Sequence, residues 1–279
     1  MNQKDYMRLI LLLFLIGIAY VPIWGWMYHR WTATDTYYSH GFLIPFISLF
    51  LLWKKRAEIS EAIKKPQGGR IIFLLAGFFL LFLSAMWRFY FLGGISFLAV
   101  LYGLTEYLFG APLRKLFFFP ILYLFFMVPI PEAWIAVINL KLKFFATAIA
   151  VWAVDLTGIL VVQDGSRIFI NEGVMTVGDV CSGLRSLISL LAFGTLFAYI
   201  CKLPLWKKYF LWIMAFPCAI ASNVIRIMAL CYVAEWFSVE TATGKFHDMS
   251  GLGVFVVAFC IMFGIEKVIA SHPLKEQTS

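Results

Sequence analysis

Long apolar runs, each bounded by charged or turn-forming residues, make up most of the chain. A helix that crosses the hydrocarbon core of a bilayer needs about 20 predominantly apolar residues, and a run of this length with few charges predicts a transmembrane helix. The pattern therefore predicts an all-α polytopic membrane protein. About eight spanning helices are expected, at 9–27, 38–53, 71–88, 92–109, 116–131, 182–201, 208–234 and 250–267.

A further helical run covers residues 132–158 and contains Lys141 and Lys143. Counting it as a span would place the basic cluster at 202–208 outside, against the preference of lysine and arginine for the cytoplasmic side. We therefore expect an interfacial amphipathic helix on the outer face, with both lysine side chains reaching toward the headgroups.

Residues 159–177 have a different pattern, with β-branched residues, an Asp164–Gly165 turn and a second turn at 171–173. This pattern predicts a small β flap, either a hairpin or a three-stranded sheet. Open strand edges are not stable in lipid, because their backbone groups would lack hydrogen bonds. The flap is therefore expected on the outer face, in water or against protein.

Composition supports a membrane protein, because 62% of the residues are hydrophobic and only 14% are charged, too few to cover a soluble domain. The net charge of +8 is explained by basic residues that set topology, such as those of the 54–70 loop, so the expected partner is the lipid bilayer and not nucleic acid. The same rule makes both termini cytoplasmic. A single integral membrane domain over residues 1–279 is expected.

Three side chains that are far apart in the sequence are expected at one depth near the outer surface. Cys181 starts the helix at 182–201, Arg226 lies with Asn223 near the end of the helix at 208–234, and His247 precedes the last helix. A helix N-terminus favours the thiolate form of a cysteine, a histidine can accept the thiol proton, and a buried arginine can stabilise an oxyanion. The segment 181–267 is thus expected to carry catalytic helices.

Other side chains compete for roles near this thiol. Arg185 shares a helix face with Cys181, Asp179 or Ser182 can cap the helix, and His40 is an alternative base at the outer end of an earlier helix. The remaining cysteines are scattered in apolar runs, where packing is their expected role, without CxxC pairs or Cys/His spacing. We therefore expect neither a metal site nor a cofactor.

Several motifs together resemble the exosortases, a family of bacterial membrane transpeptidases related to archaeosortases. The Cys-Ser-Gly-Leu-Arg-Ser run, then Asn-x-x-Arg, then His-x-x-Ser-Gly, in this order, is a specific combination. The family usually has Glu-Ala before the cysteine, where this chain has Asp179-Val180, so the role of that acid is open. The matching segments are YSHGFLIPFISLFLLW (38–53), VPIPEAW (128–134), LKFFATAIAVWAVDLTGI (142–159), GDVCSGLRSL (178–187), ASNVIRI (221–227) and GKFHDMSGLGVFVVAF (244–259).

The resemblance implies a cysteine transpeptidase of the bacterial inner membrane, whose Cys181, Arg226 and His247 face the periplasm. Its partners would be exported proteins with a C-terminal Pro-Glu-Pro motif, a transmembrane helix and a basic tail, and an acceptor nucleophile of unknown identity. Arg185, Asn223, Ser182, Asp179 and His40 are supporting or substrate-binding candidates. Three alternatives stay open: a transporter or export component of a surface-polysaccharide system, a scaffold, and a hydrolase that uses His40 as its base.

Overall fold

The structure, a computed structural model, describes residues 3–34, 36–64, 69–170, 173–178 and 183–271. These residues are predominantly helical and include one small sheet, which confirms the helical fold class and the flap. Contacts divide the chain into two compact units, Met1–Pro131 and Glu132–Ser279. The expected single membrane domain stays a prediction, and each unit is described by itself.

The first unit consists of helices joined by short connections. Two 3₁₀ turns, Ser39–Phe42 and Leu124–Met127, precede α3 and follow α7. The α-helices are α1 (Gln3–Ala19), α2 (Val21–Thr32), α3 (Leu43–Lys54), α4 (Arg56–Lys64), α5 (Ile72–Trp87), α6 (Tyr90–Phe109) and α7 (Ala111–Tyr123).

Close packing of α5 against α6 forms the centre of this unit. A Cβ atom at Gly103 would lie 2.3 Å from the backbone nitrogen of Leu74, and one at Gly77 would lie 2.6 Å from Val100. Only glycine permits this approach, which is the usual way in which membrane helices pack closely.

A buried ion pair joins the end of α6 to the start of α7. Glu106 is only 3% exposed, and its Oε1 accepts a hydrogen bond from Arg114 Nη1 at 3.0 Å. We expect Arg114→Met to destabilise the protein by about 3–5 kcal/mol, because it leaves a buried carboxylate without its cation.

The measurement is unfolding of the detergent-solubilised protein, compared with the double variant Glu106→Gln/Arg114→Met. The double variant should recover most of the loss, because no unpaired charge remains. Equal losses in the single and double variants would contradict an electrostatic origin.

The second unit is built around one long helix, α10 (Leu205–Trp236), which contacts α8 (Glu132–Asp155), α9 (Leu184–Ile200) and α12 (Lys245–Ser271). Near its start, Lys207 and Lys208 donate to the carbonyl oxygens of Ile269 and Tyr199, at 2.6 and 3.0 Å. The end of α9, the start of α10 and the end of α12 therefore lie at one level. The other elements are α8 (Glu132–Asp155), β1 (Val161–Asp164), β2 (Arg167–Ile170), β3 (Gly173–Thr176), α9 (Leu184–Ile200), α11 (Val239–Thr243) and α12 (Lys245–Ser271).

The flap is an antiparallel sheet in the order β1-β2-β3. The predicted Asp164–Gly165 turn joins β1 to β2, and Gly165 has a φ of 60°, a conformation that glycine adopts readily. The second predicted turn includes 171–172, which are outside the described residues. Ile168, Ile170 and Met175 are buried and pack in one apolar cluster with residues of α8, α10 and α11.

Helix lengths do not confirm the expected number of spans. Among the described residues, four helices are long and apolar enough to cross a membrane, namely Tyr90–Phe109, Glu132–Asp155, Leu205–Trp236 and Met249–Ser271. Three shorter apolar helices correspond to other predicted spans, so the predicted total of about eight is not confirmed. The run at 9–27 is divided between α1 and α2 at Tyr20, because Pro22 has no N–H to continue the helical ladder.

The run at 132–158 is one of the four candidate spans, the helix α8. Its buried face includes Ile135 and Ala150, and its opposite face exposes Trp134, Phe145 and Trp152. Large apolar side chains on the exposed face are not the polar face of an amphipathic surface helix. By length and composition, α8 is therefore a candidate span, and the interfacial surface helix expected from the sequence is not confirmed.

Candidate active site

Arg226 lies inside α10, and its side chain is buried, with 6% exposure. Asn223 and Leu230 share its buried face, because residues three and four apart lie on one side of a helix. A buried guanidinium is costly unless hydrogen bonds compensate for its lost hydration. Several of its partners come from α12.

The first two turns of α12 supply acceptors for this guanidinium. Arg226 Nε donates to Ser250 Oγ at 2.9 Å, and Nη2 donates to the backbone carbonyl of His247 at 3.0 Å. Ser250 in turn donates to the same carbonyl at 2.8 Å. The three residues form a closed ring of hydrogen bonds, which fixes the start of α12 against α10.

The imidazole of His247 also faces the guanidinium. Its Nε2 lies 3.4 Å from Arg226 Nη2. A guanidinium has only N–H donors, so the ring nitrogen can only accept from it. A potential base and a fixed cation are therefore adjacent, and a single reacting group placed between them could interact with both.

The N-terminus of α9 meets the same face of α10. Gly183 is the N-cap of α9 with a φ of 80°, and a Cβ atom there would lie 2.6 Å from Asn223 Cγ. Asn223 is one helical turn before Arg226. The start of α9 is thus held beside the Arg226–His247 contact.

The predicted nucleophile is not among the residues that the structure describes. Cys181, Ser182 and Asp179 lie outside the described residues, so their assignments remain predictions. Arg185 is in the first turn of α9 and is partly buried. Among the described residues, no acceptor lies within hydrogen-bond distance of its Nε.

His40 belongs to the first unit, in the 3₁₀ turn Ser39–Phe42. Its ring stacks on Tyr38 with centroids 5.8 Å apart, and it has a hydrogen bond to the backbone of Phe126. These contacts support the connection between α2, α3 and α7. Its role as an alternative base stays a prediction.

Ser250 is the site residue that sequence reasoning missed. It was noted only as part of the His-x-x-Ser-Gly run, whereas the structure makes it a hydrogen-bond partner of both Arg226 and His247. Its position three residues after His247 was the available signal, since such residues are neighbours on a helix.

Three crevices adjoin these residues. The flap crevice contains His247 and is narrow, with room for about one water molecule, and a second crevice of similar size contains Asn223 and Gly183. A wider apolar groove of about 540 Å³ runs between α8 and α10 beside Pro217. The flap crevice is lined by Met175, Thr176, Val177, Ile227, Leu230, Ala242, Thr243 and His247.

Metal-binding side chains do not cluster in the part of the chain that the structure describes, where no three of His, Cys, Asp and Glu are placed to share an ion. Cys218 and Cys231 are buried in apolar clusters, which confirms their expected role in packing, whereas Cys260 is exposed, which corrects that expectation for it.

The apolar helices and their exposed apolar faces define a multi-pass membrane protein. Its sequence matches the family model of the transmembrane exosortase (Exosortase_EpsH) over residues 31–264. This match covers most of the chain, and the chain therefore belongs to the exosortase family. Comparisons with curated proteins and with solved structures gave no match.

Proposed function

We propose that the protein is a membrane cysteine transpeptidase that cleaves the C-terminal sorting signal of exported proteins and transfers them to an acceptor. The observation that carries this proposal is the contact of the buried Arg226 with His247, beside the start of α9. Family membership and the sequence motif around Cys181 support the assignment of the nucleophile.

Chain connectivity links Cys181 to this contact. Gly183 lies against Asn223. Cys181 precedes Gly183 by two residues, so the Cα atoms of Cys181 and Gly183 are separated by at most about 7.6 Å. Arg226 follows Asn223 by one turn of α10. A thiol within this reach can share a substrate carbonyl with Arg226 and His247.

In the first half of the reaction, Cys181 Sγ attacks a peptide carbonyl near the Pro-Glu-Pro motif while His247 accepts the thiol proton. Arg226 stabilises the oxyanion that forms on the carbonyl oxygen. The C–N bond then breaks, His247 gives its proton to the departing amine, and a thioester remains on Cys181.

In the second half, an acceptor nucleophile attacks the thioester and loses its proton to His247. The C–S bond breaks, and the thiolate is protonated again, which completes the transfer. Asn223, Arg185, Ser182 and Asp179 act as supporting or substrate-binding residues in this scheme.

The proposed location is the bacterial inner membrane, with both termini cytoplasmic and the site facing the periplasm. Basic residues of the 54–70 loop support this orientation, because such residues favour the cytoplasmic side. An exported substrate would then present its motif at the surface where the three side chains meet.

The test is mass spectrometry of the purified protein after incubation with a synthetic sorting-signal peptide and no acceptor. We expect a thioester adduct on Cys181 that hydroxylamine releases, and none with Cys181→Ser. Parallel His247→Ala and His40→Ala variants identify the base, since only loss of the base should prevent adduct formation. Normal processing of a co-expressed substrate by Cys181→Ser would refute the proposed function.

A further inference from the structure

The free edge of the flap lies beside His247. Among the described residues, β3 is an outer strand of the sheet, because the order is β1-β2-β3. Thr176, at the end of β3, lines the flap crevice together with His247. An outer strand has backbone groups that can pair with an extended peptide, so the register of β3 decides which groups are available.

Backbone pairing in the flap shows which groups of β3 point outward. Val177 N–H donates to the carbonyl of Ser166 at 2.8 Å, and the ladder continues through Thr176 opposite Arg167 and Met175 opposite Ile168. Hydrogen-bonded and non-hydrogen-bonded pairs alternate in an antiparallel ladder. Met175 therefore bonds to β2, whereas the N–H and C=O of Thr176 point to the open edge.

The same alternation directs the backbone groups of Val174 to the open edge. Within the described part of the chain, no residue hydrogen-bonds to these groups of Val174 or Thr176. Val174 and Thr176, which are two positions apart on β3, thus each offer one backbone donor and one backbone acceptor at the open edge.

Side chains of the flap define two different faces along this edge. Met175 and Val177 are buried toward the helices, with 2% and 3% exposure, and they line the flap crevice with Ile227 and Leu230. Thr176 is exposed on the opposite face, next to Arg167 in the adjacent strand. Side chains of a strand added to this edge would alternate between the same two faces.

We infer that the outer edge of β3 binds the substrate peptide as a fourth strand, bonded to the backbone of Val174 and Thr176. Alternate apolar side chains of the peptide lie on the same face as Met175, toward the flap crevice, and the residues between them face outward beside Arg167. This inference rests on the proposed function, because it supplies the substrate for that same site. Because His247 lines the same crevice as Thr176, a peptide bound to this edge lies next to the proposed catalytic base.

A Pro-Glu-Pro segment is compatible with this binding mode. Proline has no N–H, but in an added strand only every second residue bonds to the edge. When the backbone of the glutamate bonds to Thr176, the backbone nitrogens of both prolines point away from β3, where no N–H is needed for pairing. The two proline rings then face the flap crevice. The glutamate side chain then lies on the outward face of the sheet, the same face as the exposed Arg167 of β2. Asp164 of β1 pairs with Arg167 on its other side.

The test is a scan of single N-methyl groups along a synthetic sorting-signal peptide, assayed with the full-length protein in nanodiscs. The probe carries Pro-Glu-Pro, an apolar helix and a basic tail, and each variant methylates the glutamate or one of the neighbouring non-proline residues. Blocking an N–H that bonds to β3 should raise KM about 3- to 10-fold, the usual worth of one hydrogen bond, with kcat within about twofold.

The expected result is an alternation in which two positions are sensitive, the glutamate opposite Thr176 and the residue two positions from it opposite Val174, and the others are not. The insensitive positions are matched controls for the effect of the methyl group itself. Cleavage that depends on Cys181 but shows no alternation would overturn the inference and leave the proposed function intact. Absence of any cleavage that Cys181→Ser removes would overturn both.

Discussion

Arg226→Lys is expected to lower kcat for sorting-signal cleavage by about 10²–10³-fold, the usual loss when an oxyanion donor is removed. The guanidinium donates from Nε to Ser250 and from Nη2 to the His247 carbonyl. A lysine keeps the charge, but its single ammonium group cannot reproduce this planar, two-sided geometry. The measurement is single-turnover cleavage of the peptide by purified protein.

Two controls separate this loss from a general defect. Arg70→Lys changes an exposed arginine of the first unit and should leave kcat unchanged. Ser250→Ala removes the acceptor of Nε and the hydroxyl that donates to the His247 carbonyl, and it should give a smaller loss, of about 10-fold, because Arg226 keeps its bond to that carbonyl. Cleavage by folded Arg226→Lys at more than a tenth of the wild-type rate would contradict the assigned role.

Gly183→Ala is expected to lower cleavage by about 10²-fold, because a displacement of about 1 Å near reacting groups has effects of this size. The new Cβ would lie 2.6 Å from Asn223 Cγ and 2.7 Å from Nδ2, so the start of α9 must move away from α10. In addition, an L-residue at a φ of 80° costs about 1–2 kcal/mol.

Gly158→Ala is the matched control for this variant. Gly158 has a φ of 88°, and nothing lies within 4 Å of the position that a Cβ atom would take there, so it carries the backbone cost without the contact. Gly158→Ala should lose only the thermal stability that corresponds to the backbone cost and keep its cleavage rate, whereas Gly183→Ala should lose more stability and most of its cleavage rate. Equal rates in the two variants would show that the Asn223 contact does not position the site.

Hydropathy predicted the positions of most helices but not their breaks. The runs at 71–88 and 92–109 correspond closely to α5 and α6. The run at 116–131 was predicted as one helix, yet it begins inside α7 and ends beyond the 3₁₀ turn Leu124–Met127. Hydropathy along the sequence shows which segments are apolar enough to lie in lipid. It does not show where an α-helix ends or changes to a 3₁₀ turn.

The site was predicted only in part for a related reason. Arg226 and His247 stood out because charged or ionisable groups are rare beside apolar helices. Ser250 did not, because a serine in a helix is common and gains a role only through its distance to Arg226. The flap was predictable from its β-branched residues and turns, whereas the packing of Met175 and Val177 against α10 required the folded chain.

The length of α10 has a consequence for the membrane itself. Its 32 residues rise about 48 Å, whereas the hydrocarbon core is about 30 Å thick. Lys207 and Lys208 tie its first turn to the ends of α12 and α9, so the excess length accumulates toward Trp236. If the hydrocarbon core began at that tied end, Arg226, about 32 Å along the helix, would lie at its far boundary, and bilayer thickness would then decide whether the surroundings of this buried side chain are hydrocarbon or headgroups.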